Sequence, residues 1–322
     1  MSRVSVIVPC YNCGAFLSQA LDSVRRQTRP VDDLIVVDDQ STDDSVSIAG
    51  RFGARVVRTG RNLGGAGARA AGINTATGDI LAFLDADDYW EADHIERVVG
   101  LLDRYPQAAV AFSRERRVGE WQGEHPKVLP DERPVDAFWA LLRQNLIPQM
   151  GVAVRREAIA EVGGYDPALR YSEDYDLWLR LARRHPFVCT HAVTCNHRGH
   201  GGQLSRKAAL LARSATEVRH RVWLAVRETE PPELVGRVER ELRRAWEHQL
   251  RTAWWARDRE GFETVLASQD MVPGSAAIHA QWTNRERRWW PWYLRAGRLW
   301  ERLPARVREV LRWPLRAVLG AP

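Results

Sequence analysis

Apolar positions along the first two thirds of the chain recur with two alternating periods. Val4 to Val8 is a continuous aliphatic run closed by Pro9, the pattern of a central strand buried on both faces. From Gly14 onward, Phe16, Leu17, Ala20, Leu21 and Val24 share one face of a helix. Leu34–Val37, Arg55–Val57, Ile80–Leu84, Ala108–Phe112 and Val152–Val154 read as further strands, with Glu91–Leu102 a helix after the fourth. Ser41 or Thr42 is expected to cap a helix after the second strand, and glycines open another in RNLGGAGARAAGINTATG. Strands alternating with helices at this spacing predict an α/β fold, a mostly parallel central sheet sandwiched by helices in the Rossmann-like manner. From Leu204 the pattern is helical throughout, broken at Pro231-Pro232 and again at Pro273-Gly274.

The chemistry gathers where strands stop. Ile80–Leu84 ends abruptly at Asp85-Ala86-Asp87-Asp88. On an extended chain Asp85 and Asp87 point the same way and Asp88 away, and two such carboxylates repel unless a cation or strong donors lie between them. Oxygen ligands without Cys or His in the cluster favour a hard cation, Mg²⁺ or Mn²⁺. The plainer alternative is a solvated acidic turn. A buried parallel strand, however, delivers its C-terminal residues to a ligand-binding crevice. A second acidic cluster lies in GGYDPALRYSEDYDLWLRLARRH, where Ser172 is expected to cap a helix with Leu177, Leu181 and Trp178 facing inward. Glu173 and Asp174 then occupy its first turn, either stabilising the helix start or serving as an ionised base.

Gly65-x-Gly67-x-x-Ala70 imitates a dinucleotide fingerprint, but Thr59–Leu63 separate it from the preceding strand, and no G-K-[ST] phosphate loop occurs. A dinucleotide-dependent oxidoreductase is therefore the weakest reading. Gly119–Pro134 is polar and proline-punctuated, a loop expected across the mouth of the sheet.

Composition changes this picture mainly at the C-terminus. The net charge of +6 hides a split of −3 for Met1–Leu204 against +9 for Ser205–Pro322, and ten of 14 Trp fall in that last part. From Arg285 to Pro322 there are ten Arg and three Glu. Leu299, Leu303, Val307, Leu311, Leu315 and Val318 recur at helical spacing, with Arg on another face. An amphipathic helix lying on an anionic membrane surface is one reading, a helix packed on the preceding α/β domain or a second subunit the other. A basic helix with aromatics also admits RNA, but no recognised nucleic-acid module occurs and none is expected to bind. The start of the chain lacks an apolar stretch of signal-peptide length, and no run reaches the roughly 18 apolar residues of a membrane span. The expected location is cytoplasmic, with peripheral attachment to the inner face of the plasma membrane if the tail binds lipid. The four Cys are expected to be plain reduced thiols rather than a zinc site joining Cys10 and Cys13 to Cys189 and Cys195.

Six stretches in order, VSVIVPCYN, IVVDDQSTDDS, RNLGGAGARAAGI, FLDADD, GGYDPALRYSEDYDLWLRLA and NHRGHGGQLS, resemble the family 2 glycosyltransferases with the GT-A fold. The resemblance implies a catalytic domain over 1–204 and an Arg/Trp-rich helical region over 205–322. It departs from the family where Cys10 and Cys13 flank Tyr11-Asn12, and where Gln40 stands in place of a small residue, often Gly. It implies a nucleotide pocket of Pro9, Tyr11, Asp39, Asn62 and Arg69, with Asp39 accepting from the base, Arg69 near base or phosphate, and Asp85 counted with both nucleotide and metal. Asp87 becomes the direct ligand of Mg²⁺ or Mn²⁺, and His200 closes over the diphosphate or completes the metal shell. Asp174 becomes the catalytic base, with Glu173 its rival. The implied activity is inverting transfer from a UDP-, dTDP- or GDP-sugar to a hydroxyl of a glycan or lipid-linked acceptor. The alternative is a sugar-nucleotide-binding or scaffold protein without turnover.

Overall fold

The structure, a computed structural model, describes residues 2–120, 123–124, 129, 132–201, 207–256 and 258–286. Strand β1 (Val4–Cys10) leads to α1 (Gly14–Arg25), β2 (Asp33–Asp38), α2 (Ser45–Arg51), β3 (Arg55–Arg58), α3 (Gly64–Thr75) and β4 (Ile80–Phe83). Then follow β5 (Tyr89–Trp90), α4 (His94–Arg104), β6 (Val110–Gly119), β7 (Gly123–Glu124), α5 (Phe138–Arg143), β8 (Val152–Arg155), α6 (Arg156–Glu161), α7 (Glu173–Ala182) and β9 (Phe187–Gly199). Helices α8 (Ala208–Arg227), α9 (Pro232–Ala256) and α10 (Arg259–Leu266) come next, and residues 276–286 are helical.

The predicted α/β sheet is present as a mixed one, ordered β3-β2-β1-β4-β8-β6-β9-β5 with β7 on β6. β3, β2, β1 and β4 run parallel, with Ile7 in register with Ile35 on one side and Phe83 on the other. β8 enters antiparallel between β4 and β6, and β9 then pairs parallel with β6. Alternate side chains feed two cores. Val6 and Val8 pack with Leu17 and Leu21 of α1 and Ile95 and Val98 of α4, while Ile7, Ile35 and Phe83 join Trp178 of α7. Each such buried side chain contributes about 1.5–3 kcal/mol.

The glycines of α3 serve packing. A Cβ at Gly72 would lie 2.4 Å from Cγ2 of Ile7, so the helix rests on β1 at a distance only a bare backbone permits. The same core extends into the last third of the chain. Val218 and Val222 of α8, Trp246 and Leu250 of α9 and Phe262 of α10 share it with Leu141 of α5. The helix breaks at Pro231-Pro232 and Pro273-Gly274 fall where expected.

Two expected caps are absent. α2 begins at Ser45, not after Ser41 or Thr42, because the intervening side chains bond the loop instead. Asp38 accepts from the Ser41 amide at 3.1 Å, Asn12 Oδ1 from the Thr42 amide at 2.8 Å and Asp43 from the Ser45 amide at 3.0 Å. Ser172 does precede α7, but at φ 55° its hydroxyl makes no capping bond. The Gly119–Pro134 stretch contains a short strand, β7, bonded to β6, and its remainder lies largely outside the described residues. Among the described residues no helix is long and apolar enough to cross a membrane. The amphipathic Arg- and Trp-rich stretch from Trp289 onward lies outside them.

Candidate active site

Four parallel strands end on one edge of the sheet, and that edge carries most of the residues singled out above. β1 runs out through Pro9 and Cys10 to Tyr11, which is exposed, and Asn12. The described non-glycine residues with positive φ are Asn12 (52°) and Gln40 (75°), on the loops after β1 and β2, and Ser172 (55°), immediately before α7. Left-handed backbone at such residues costs on the order of 1–3 kcal/mol each and gathers at functional sites. Gln40 therefore keeps a conformation that glycine adopts freely, and its amide is bonded to the Thr59 carbonyl.

Asp39 is buried and nearly saturated. Its carboxylate accepts from Thr59 Oγ1 at 2.8 Å, from the Leu63 amide at 2.9 and 3.0 Å to its two oxygens, and from the Gly64 amide at 2.8 Å. Asn62 Nδ2 donates to the Asp39 carbonyl at 3.1 Å. Asp39 thus ties the start of α3 to β2, using about three of the four lone-pair sites of a carboxylate.

The acidic turn after β4 differs from the extended arrangement its spacing predicts. The Asp88 amide donates to the Asp85 carbonyl at 3.0 Å, closing a tight turn, so alternation of side chains ends before Asp85. The three carboxylates diverge. Asp85 Oδ1 meets Arg69 at 2.6 Å, and Asp87 Oδ2 meets His200 Nε2 at 3.0 Å. Asp88 is buried and accepts from the Arg198 amide at 2.8 Å. Burial, then the charges of Asp87 and Asp85, push the Asp88 carboxyl well above the usual range. Arg198 also donates from Nε to the Asp87 carbonyl at 2.8 Å, and the His200 ring lies 4.7 Å from that of Phe16 on α1. The end of β9 is thereby fastened over the turn.

Arg69 joins the two acidic clusters. Its terminal nitrogens reach Asp85 at 2.6 Å and Glu173 at 2.8 Å, and its side chain is 9% exposed. A Cβ at Gly65 would stand 2.8 Å from both the guanidinium and the Glu173 carboxylate, so a side chain at this position of α3 would displace the bridge. Burial opposes the charge on Arg69, but Asp85, Tyr165 and Glu173 outweigh it and hold the group ionised. Arg69, expected near base or phosphate, bridges these two carboxylates in the structure. Glu173, the rival base, is the one committed to that bridge.

Asp174 stands beside it at the start of α7, partly buried. Oδ2 accepts from Asn145 Nδ2 at 3.2 Å, its one side-chain donor among the described residues. Burial first, then the neighbouring Glu173 charge, raise its pKa to about 6, with Arg69 pulling the other way. A carboxylate poised there is ionised at neutral pH yet basic enough to take a proton. Asn145 follows the end of α5, in a stretch where nothing but the structure distinguishes it from other loop polar residues.

Among the described residues no three His, Cys, Asp or Glu side chains converge closely enough to hold a metal on their own. The donor set still suits one. Mg²⁺ and Mn²⁺ are bound through one or two protein groups with phosphate oxygens completing the shell, and the Asp87–His200 pair beside Asp85 supplies that kind of partial site. The four cysteines are free thiols, Cys10 and Cys13 by α1, Cys189 and Cys195 within β9.

Comparison with known proteins matches this architecture. Residues 5–163, about half the chain, match the sequence family described as glycosyl transferase family 2. An uncharacterized glycosyltransferase of Rickettsia prowazekii is 27% identical over 211 residues, 64% of this chain and 66% of that protein. The amylovoran biosynthesis glycosyltransferase AmsB of Erwinia amylovora is 31% identical over 192 residues, 55% of this chain and 62% of its own length. The chain thus spans just under two thirds of these curated relatives. In structure it resembles S. aureus TarS in complex with UDP-GlcNAc, with a TM-score of 0.65 at 16% identity, over 84% of this chain and 82% of that one. It also resembles the mannosyltransferase PcManGT of Pyrobaculum calidifontis in complex with GDP-Man and Mn²⁺, with a TM-score of 0.58 at 20% identity, over 91% and 83% of the two chains. By sequence and by its GT-A fold, the chain belongs to glycosyl transferase family 2.

Proposed function

We propose that this glycosyltransferase moves a sugar from a nucleoside-diphosphate donor to a hydroxyl acceptor by a single inverting displacement, with Asp174 as base. The observation that carries the reading is the Arg69 bridge, which brings the acidic turn after β4 and the start of α7 to one guanidinium. The donor's nucleotide lies along the loops of Pro9, Tyr11, Asp39 and Asn62, with its diphosphate toward Asp85 and Asp87. The acceptor enters from the side of Asp174. Attack from that side and departure toward the acidic turn occupy opposite faces of the sugar, which is the condition for inversion.

An acceptor hydroxyl is a poor nucleophile until a carboxylate takes its proton during attack, which is worth about 10²–10⁴ in rate. Asp174 does this, and its Asn145 partner fixes the direction in which the carboxylate points. Glu173 stays on Arg69 and keeps that cation between the two acidic clusters. A divalent cation, Mg²⁺ or Mn²⁺, held by Asp87 and His200 with Asp85 alongside, supplies Lewis-acid neutralisation of the leaving diphosphate when bound. Arg198 and Asp88 hold the Asp87 turn in position for it.

The nucleotide-bound complexes of the two structural neighbours support a UDP- or GDP-sugar donor, and the name of the Erwinia relative supports a glycan or lipid-linked acceptor in polysaccharide synthesis. The basic, Trp-rich C-terminal stretch fits contact with an anionic membrane near such an acceptor. The test is a panel of nucleotide sugars screened for thermal stabilisation with and without Mn²⁺, followed by turnover of the stabilising donor. Stabilisation by a donor that is never turned over, with every acceptor class tried, would leave a binding protein in place of an enzyme.

A further inference from the structure

Helix α8 reaches the base from outside the site. Arg219 is buried, yet its partners are two carbonyls at the end of α5: Nε donates to Leu142 at 2.8 Å and Nη2 to Arg143 at 3.1 Å. Helix ends leave carbonyls without intrahelical donors, and a cation there satisfies them and suits the dipole. The same guanidinium stands 5.2 Å from the ring of Tyr175, the residue after Asp174. Tyr175 in turn donates its hydroxyl to the Leu141 carbonyl at 2.6 Å. One turn earlier on α8, Ser214 donates to the Tyr171 carbonyl at 2.7 Å, just before the left-handed Ser172 that opens α7. The end of α5, two residues before Asn145, and the start of α7 are therefore clamped by one helix. Asn145 and Asp174 meet where these two segments meet.

We infer that Arg219 is a positioning residue for the transfer reaction, holding the α5 terminus so that Asn145 keeps its hydrogen bond to the Asp174 carboxylate. The inference rests on Asp174 being the base. It gives the C-terminal helices a part in the chemistry, although none of their described residues is placed in the site itself. A merely structural Arg219 would stiffen the core without any special tie to Asn145. A positioning Arg219 acts through it.

Among the described residues the groups that face Asp174 are Glu173 and Tyr175 on its own helix, Arg69 on α3, Tyr165 between α6 and α7, and Asn145 after α5. Of these, Arg219 touches only the Tyr175 ring and the α5 carbonyls. Among the described residues Arg219 makes no hydrogen bond to the donor loops at Pro9, Asp39 and Asn62, so donor affinity should be untouched by its loss.

The test is a double-mutant cycle on the full chain with Arg219→Gln and Asn145→Ala, read as kcat against pH and KM for the donor. Each single variant is expected to move the acid limb of kcat upward by about one pH unit, cutting kcat about fivefold at pH 6 and less than about twofold at pH 9. Donor KM should stay within about twofold of wild type, and the double variant should be no slower than Asn145→Ala alone. Additive losses, or a limb that coincides with wild type, would overturn the inference. Ser214→Ala, a smaller change to the same clamp, is measured beside them. If Arg219→Gln does not fold, Ser214→Ala must give the same pH-dependent loss, non-additive with Asn145→Ala, or the proposal fails. Asp174→Asn separates the underlying reading: if that variant turns over like wild type, the base assignment fails rather than the clamp.

Discussion

Asp85 and Glu173 arrive from opposite ends of the fold and share one guanidinium, that of Arg69, at 2.6 and 2.8 Å. The first closes a strand of the parallel half of the sheet; the second opens a helix beyond the antiparallel strand β8. Removing their common partner should leave two partly buried carboxylates facing each other. Arg69→Met is expected to lose about 3 kcal/mol of stability, measured by urea unfolding, together with nearly all turnover.

Exchange of the base should separate chemistry from folding. Asp174→Asn is expected to lower kcat by about 10²–10⁴ with donor KM little changed. Glu173→Gln, which weakens the bridge but spares the base, should cost less than a tenth of that factor. Steady-state kinetics on the two variants side by side decides which carboxylate takes the proton. A larger loss in Glu173→Gln would reverse the assignment.

The pKa of Asp174 carries a stability cost that is linked to its function. In the folded chain the carboxyl titrates at about 6, above its ordinary value, so the folded state holds the proton more tightly than the unfolded state. Between about pH 4 and pH 6 stability therefore falls as pH rises, and the penalty is fully present above pH 6. Activity runs the other way, increasing as the base ionises. Asp174→Asn should be more stable than wild type by about 1–2 kcal/mol at pH 8 and gain nothing at pH 4. Thermal melts of the two proteins across this range test it.

The Asp87–His200 pair makes a separate prediction about metal. Either Asp87→Asn or His200→Ala should raise the Mn²⁺ concentration needed for half-maximal activity at least tenfold. Each should also abolish the extra thermal stabilisation that Mn²⁺ adds to a bound nucleoside diphosphate. Melting curves with nucleotide alone provide the baseline, which both variants should keep.

The basic stretch after Arg285 should bind vesicles. Co-sedimentation with anionic liposomes at low salt, lost at high salt, is the expected result, because polybasic attraction is screened. Absence of binding at low salt would leave a helix packed on protein as its role.

Much of this was legible in the sequence because strands and helices announce themselves by period. The runs at Val4, Leu34, Ile80 and Val152 became strands, and their alternation yielded the sheet. Asp85 and Asp87 stood out as acidic residues at the end of an apolar run, and Asp174 as one in the first turn of a helix. What could not be read was direction. Alternation along an extended chain aimed Asp85 and Asp87 together, but the turn closed by the Asp88 amide sends one to Arg69 and the other to His200. Asn145 carries no pattern of its own, and its contact with Asp174 exists only because α5 ends beside the start of α7. The antiparallel entry of β8 was equally silent, since three buried apolar residues look alike whichever way they run.

That reversed strand divides the enzyme by task. The residues proposed for the donor come from segments preceding it, apart from His200 on the closing loop, while the proposed base and its supports gather around elements that flank or follow it. A lineage could thus retain its activated-sugar supply and adopt new recipients by redrafting the later segments, provided Arg69 still finds a carboxylate waiting.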